Sequence, residues 1–190
     1  MSVFRTPRVW RFVGRLQFAS LLSCGLLVWS SGAGEAFAQE QDPSSVVSTY
    51  LHALDSGDAA GAAAVFGDNA IHIHPLAVGS CSRQSPCIGR RAIFDDLRNR
   101  VLDHQCITLL DAAVSGSIVR SGGELRNDSL RAVGVERILV SSTWLVSQGK
   151  ALALFVVPDL TDPQTAASAA ITAGTQQPGP PVPVPSTPCS

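Results

Sequence analysis

The chain has 190 residues, 45% of them hydrophobic and 15% charged, with a formal net charge of −1 at pH 7. The length points to one domain. The balanced charge, with no basic run beyond the N-terminal leader, excludes a nucleic-acid surface built on clustered Lys and Arg.

The first segment reads as an export signal. Arg5, Arg8, Arg11 and Arg15 form a basic leader, Phe18 to Trp29 an apolar run, and Ala36-Phe37-Ala38 a small-residue cleavage site. That order is the layout of a secretory signal peptide. The apolar run is shorter than the ~20 residues that span a bilayer. No stable membrane span is therefore expected once residues 1–38 are removed, and the expected location is periplasmic or secreted. Cleavage near Ala38 leaves 10 basic and 14 acidic residues, a net charge of about −4. It also leaves Cys81, Cys87, Cys106 and Cys189. In an exported protein an even number favours disulfides. Cys81 and Cys87 bracket the turn-like "SRQSP" and are the expected pair. Cys106 lies in the apolar run "CITLL", where a buried thiol is the simplest reading; the pairing of Cys106 and Cys189 stays open.

Asp42-Pro43 is a helix start, with the acid as cap and proline at the first position. Val46, Val47, Tyr50, Leu51 and Leu54 recur at helical spacing up to Gly57. Asp58 starts a short alanine-rich helix ending at Phe66. The alternation in residues 70–76 predicts a strand. After the Cys81–Cys87 loop, Gly89 opens a third helix with Ile93, Phe94, Leu97, Val101 and Leu102 as its apolar stripe. Strands are predicted at about 105–114, 117–127, 130–147 and 150–157. "SQGK" marks a hairpin between the last two, and Gly122-Gly123 a bulge or bend. The C-terminal "TQQPGPPVPVPSTPCS" is proline-rich and lacks large apolar residues, so residues 161–190 are expected to form a disordered tail. The domain then spans residues 42–160. Helices early and strands late predict an α+β fold.

This order, with "YLHALDSGDAAGAAAVFGDNAIHIHP" (50–75), "GRRAIFDDL" (89–97) and "SQGKALALFVVPDL" (147–160), resembles the nuclear-transport-factor-2-like superfamily. That group includes SnoaL-like cyclases and ketosteroid isomerases. The resemblance implies three N-terminal helices packed on a strongly curved antiparallel sheet, forming a cone with a mostly apolar pocket. It also implies a homodimer through the sheet. Fold alone does not fix function. Compared with the isomerases, Tyr50 stands at the position of the oxyanion donor and His74, before Pro75, at that of the aspartate base. The late acid falls near Ser141 or Ser142, so the acid is missing.

A neutral imidazole can accept a proton near pH 7, so His74 as general base and Tyr50 as donor are the candidate catalytic pair. His72 shares a strand face with His74. The two would make a metal pair only with a third ligand, which no motif places beside them. No metal and no cofactor are therefore expected. The simpler reading packs Ile71 and Ile73 against helices and turns both histidines to the pocket or to solvent. His72, Glu124 and Trp144 are taken as pocket residues. Against this, Glu124 also reads as one of several charges pairing across strands, and Trp144 as a core aromatic. Three functions follow. The first is an exported protein binding a small apolar molecule in the cone, with catalysis open. The second is an isomerase- or cyclase-type enzyme using His74 and Tyr50. The third is an interaction module whose pocket is filled by side chains.

Overall fold

The computed structural model describes residues 42–74 and 81–183. The expected signal peptide, Pro75 and Cys189 lie outside them. Helix α1 (Pro43–Asp55) begins where predicted, with the Asp42 carboxylate accepting from the Ser44 N–H. Its buried face is Val46, Val47, Tyr50, Ala53 and Leu54. Helix α2 (Ala59–Ala64) is capped the same way by Asp58, which accepts from the Gly61 N–H. These caps satisfy amides that the first helical turn leaves without partners.

Strand β1 (Phe66–Ile73) leads to the loop closed by the Cys81–Cys87 disulfide and to β2 (Cys87–Ile88). Helix α3 (Arg90–Leu102) follows, and then β3 (Cys106–Ser115) and β4 (Ile118–Arg126). After a short helix, α4 (Asp128–Ala132), come β5 (Ile138–Ser147), β6 (Lys150–Pro158) and α5 (Pro163–Thr172). The six strands form one sheet in the order β2-β1-β6-β5-β4-β3. The sheet is mixed rather than purely antiparallel, because β1 and β6 run parallel. The last hairpin turns through Gln148 and Gly149, both at positive φ, with Ser147 opposite Lys150. The bulge expected at Gly122-Gly123 is there, but its extra residue, Leu110, belongs to the facing strand β3.

Three expectations need correction. The predicted strand over 130–147 starts only at Ile138, because Asn127 is a cap rather than a break. Its side chain accepts from the Leu130 N–H at 2.8 Å and starts α4. The stretch from residue 161 is not wholly a disordered tail. Asp162 and Pro163 repeat the signal at the start of α1, and α5 forms behind them. Beyond α5, Gly179 and Val182 donate backbone N–H groups to the Val133 and Arg131 carbonyls. Finally, Ile71 and Ile73 do not face the helices. Ala70 and His72 on β1, and His74 beyond its end, are buried, while Ile71 is exposed.

The core lies between the helices and the inner face of the sheet. Tyr50 packs edge-on to Phe66 and Trp144, with ring centroids 5.9 and 5.0 Å away. Phe66 stacks on Trp144 and on His72. Such pairs add ~0.5–1.5 kcal/mol each beyond the area they bury. A second apolar cluster, Leu125, Leu130, Val135, Ile138 and Val140, receives Ile171 of α5.

Candidate functional site

Helix α1 crosses the inner faces of β3, β4 and β5. Between them is a cavity of about 40 Å³. The helix contributes Val47, Tyr50 and Leu51, and the sheet contributes Ile107, Leu109, Ser121, Leu125, Val140, Ser142, Trp144, Leu154 and Val156. His74 and Arg100 add an imidazole and a guanidinium to the wall. The lining is mainly apolar with a few polar groups, the usual make-up of a small-molecule site. The volume is well below that of drug-sized sites and has room for about three water molecules.

His74 is positioned by its backbone. Its N–H donates to the Cys81 carbonyl at 2.6 Å, and Cys81 is tied to Cys87 by the disulfide. The expected Cys81–Cys87 bond thus also anchors a site residue. Cys106 is disulfide-bonded too, which corrects its reading as a thiol. Its partner lies outside the described residues.

Tyr50 is almost fully buried, and that burial pushes its hydroxyl up to about 12; the nearby Asp96 charge acts in the same direction and Arg100 against it. The hydroxyl therefore stays protonated and can donate a hydrogen bond at neutral pH. His72 does not line the cavity. It lies behind it, wholly buried, with neither ring nitrogen hydrogen-bonded among the described residues. Burial, then Arg100, then His74 hold its imidazole well below the usual histidine range, so it is neutral.

Glu124 does not line this cavity. On β4 the buried positions are Val119, Ser121, Gly123 and Leu125. Alternation therefore puts Glu124 on the other face. There it pairs with Arg126 at 2.5 Å and Arg137 at 3.4 Å, and Arg137 continues to Asp162. The cross-strand reading of its charge is the one the structure supports. Trp144 lines the cavity. Of the two serines at the position of the late acid, Ser142 lines it. Trp144 Nε1–H donates to Ser142 Oγ at 3.0 Å, and Ser142 Oγ is 2.6 Å from Ser121 Oγ.

Two site residues escaped the sequence reading. Asp96 and Arg100 are buried on α3, and Arg100 Nε donates to Asp96 Oδ2 at 2.5 Å. Arg100 Nη1 reaches Gln105 Oε1 at 3.5 Å, while Nη2 has no hydrogen-bond partner among the described residues. A signal was present. Asp96 and Arg100 are four apart and flank Leu97 on the apolar stripe, so a helix burying Leu97 carries them inward.

His72, Cys81 and Asp96 bring possible metal-binding atoms within 4.8 Å of one another. They do not fit a metal as they stand. The Cys81 sulfur is committed to a disulfide, and Asp96 Oδ2 already accepts from Arg100.

Neither a protein-family model nor a curated protein matches the sequence. Solved structures do. The epoxide hydrolase/cyclase-like enzyme SalBIII, of pyran ring formation in the polyether salinomycin, aligns with TM-score 0.54 at 17% identity, covering 64% of this chain and 94% of that one. The chain has the nuclear-transport-factor-2-like fold. TerC, crystallised with polyporic acid, aligns with TM-score 0.51 at 12% identity, covering 63% and 92%. An NTF2-like protein of unknown function from Cytophaga hutchinsonii aligns with TM-score 0.50 at 14% identity, covering 63% and 91%. At these identities the likeness extends to the fold of the cone.

Proposed function

We propose that this cone-fold protein binds a small, mainly apolar molecule in the cavity beneath α1. The observation that carries the reading is the cavity itself. Apolar side chains from α1 and four strands enclose it, and Tyr50, His74, Arg100 and Ser121 bring a few polar groups to its wall. The neighbouring SalBIII and TerC structures are a cyclase-like enzyme and a protein crystallised with polyporic acid, which is consistent with ligand chemistry in this cone. An interaction module with a side-chain-filled pocket fits less well, because space remains. The test is a titration with isobutene, followed at the Trp144 indole N–H resonance. Saturable binding in the wild type and its loss in Val140→Phe, which fills the cavity, is the expected result. No binding in either contradicts it.

A catalytic reading has one specific observation in its favour. Tyr50 and His74 line the same cavity. A protonated Tyr50 would donate to a developing oxyanion while His74 takes a proton from the ligand. A substrate whose turnover is unchanged in His74→Ala refutes that mechanism.

Export belongs to the same proposal, supported by the disulfides at Cys81–Cys87 and Cys106; no described helix is long and apolar enough to cross a membrane. A mature N-terminus at Gln39, read by mass spectrometry, tests it. So does the homodimer belong here, for which Ile71, Leu145, Phe155 and Val157 are exposed apolar residues on the sheet; sedimentation equilibrium decides it.

A further inference from the structure

We infer that the cavity selects an uncharged ligand carrying a hydrogen-bond-accepting oxygen, and that Arg100 Nη2 is the group that receives it. The inference rests on the pocket reading above and adds the chemistry of the ligand.

Arg100 is about 4% exposed and lines the cavity. Its guanidinium is held on two sides, by Asp96 at Nε and Gln105 at Nη1. Of the three guanidinium nitrogens, Nη2 is the one with no hydrogen-bond partner among the described residues. A buried donor attached to a charge is costly to leave unsatisfied, so an acceptor brought into the cavity would gain from meeting it. Tyr50 at the same wall is also a donor, because its hydroxyl stays protonated. Ser121 adds a hydroxyl. Trp144 donates to Ser142, so the Ser142 proton can turn toward Ser121, whose own proton then points onward. An indole N–H is a donor only, whereas each hydroxyl both donates and accepts.

Charge decides between a carbonyl and a carboxylate. Asp96 already neutralises Arg100, and His72 behind them is neutral. A ligand carboxylate would leave a net negative charge in a small, mainly apolar cavity, which is strongly unfavourable. A carboxylate also prefers the two-pronged face of a guanidinium, and here Nε is already taken. A single neutral oxygen fits the Nη2 amino group, which has no hydrogen-bond partner among the described residues.

The test uses three probes of nearly equal shape: acetone, isobutene and acetate. Each is titrated against the full chain at the Trp144 indole resonance. The comparison protein is the double variant Asp96→Leu/Arg100→Met, which removes the pair without leaving a lone buried charge. In the wild type, acetone is expected to bind at least about tenfold more tightly than acetate. The ratio of isobutene to acetone dissociation constants is expected to fall about tenfold in the double variant. If that variant does not fold, Asp96→Val/Arg100→Leu removes the same pair and the same donor and provides the same readout. An unchanged ratio overturns the role of Arg100 while the pocket reading stands. Acetate binding more tightly than acetone overturns the choice of a neutral ligand. Failure of all three probes to bind the wild type overturns the pocket reading and this inference with it.

Discussion

His72 and His74 share the inner face of the sheet, with ring centroids 6.3 Å apart, yet only His74 reaches the cavity. His72 is packed behind it, stacked on Phe66 and neutral. Because its folded value is depressed, the unfolded chain takes up a proton below about pH 6.5 that the folded chain refuses. Stability attributable to His72 is complete above about pH 6.5 and is lost as the pH falls toward its folded value, at up to ~1.4 kcal/mol per pH unit. Urea unfolding at about pH 7 and about pH 5.5, on either side of that value, should show a smaller acid loss in His72→Leu than in the wild type. Equal losses would mean that His72 is not buried as a neutral ring.

Asp96 and Arg100 are both nearly inaccessible and depend on each other. Removing one partner of a buried ion pair strands the other and typically costs ~3–5 kcal/mol, whereas replacing both by apolar residues is often close to neutral. Asp96→Ala should therefore lower unfolding stability by about that amount, and Asp96→Leu/Arg100→Met by much less. A single variant as stable as the wild type would contradict the buried pair.

Tyr50 is the only tyrosine in the chain. Ultraviolet titration therefore reports this one hydroxyl. With burial pushing it up to about 12 from the ordinary value of 10.0, tyrosinate absorbance should stay absent at that ordinary value and rise only at higher pH. A midpoint near the ordinary value would place the hydroxyl in water rather than in the core.

Much of this architecture was legible because local signals repeat. Asp42-Pro43, Asp58 and the "SQGK" turn each specify an end or a reversal through backbone chemistry that does not depend on distant residues. Tyr50 and His74 were paired by the resemblance to the isomerases, and both line the cavity. What was missed has a common cause. Asn127-Asp128 and Asp162-Pro163 are helix caps that resemble loop breaks until the following residues are seen to be helical. Glu124 was misassigned because one residue of register moves a side chain to the other face of a strand. The buried charge on α3 was hidden because a lone Asp–Arg spacing is usually a solvated pair; only the docking of that helix turns it inward.

Gly134 shows how the C-terminal segment is held. It has φ near +81°, and a Cβ there would come within 2.8 Å of the Pro180 carbonyl oxygen. Gly134→Ala should cost roughly 1–2 kcal/mol for the backbone conformation alone. It should also displace residues 179–182 from α4, seen as faster proteolysis after residue 175. Unaltered cleavage would show that this contact does not hold the segment.

The position of a bound ligand is the measurement that bears most directly on the proposed function. Isobutene saturating the wild-type protein should give intermolecular nuclear Overhauser effects to Trp144, Ile107 and Val140 inside the cone. Effects confined to Phe155, Val157 and Leu160, which are exposed, would place the ligand outside it and contradict a binding cavity beneath α1.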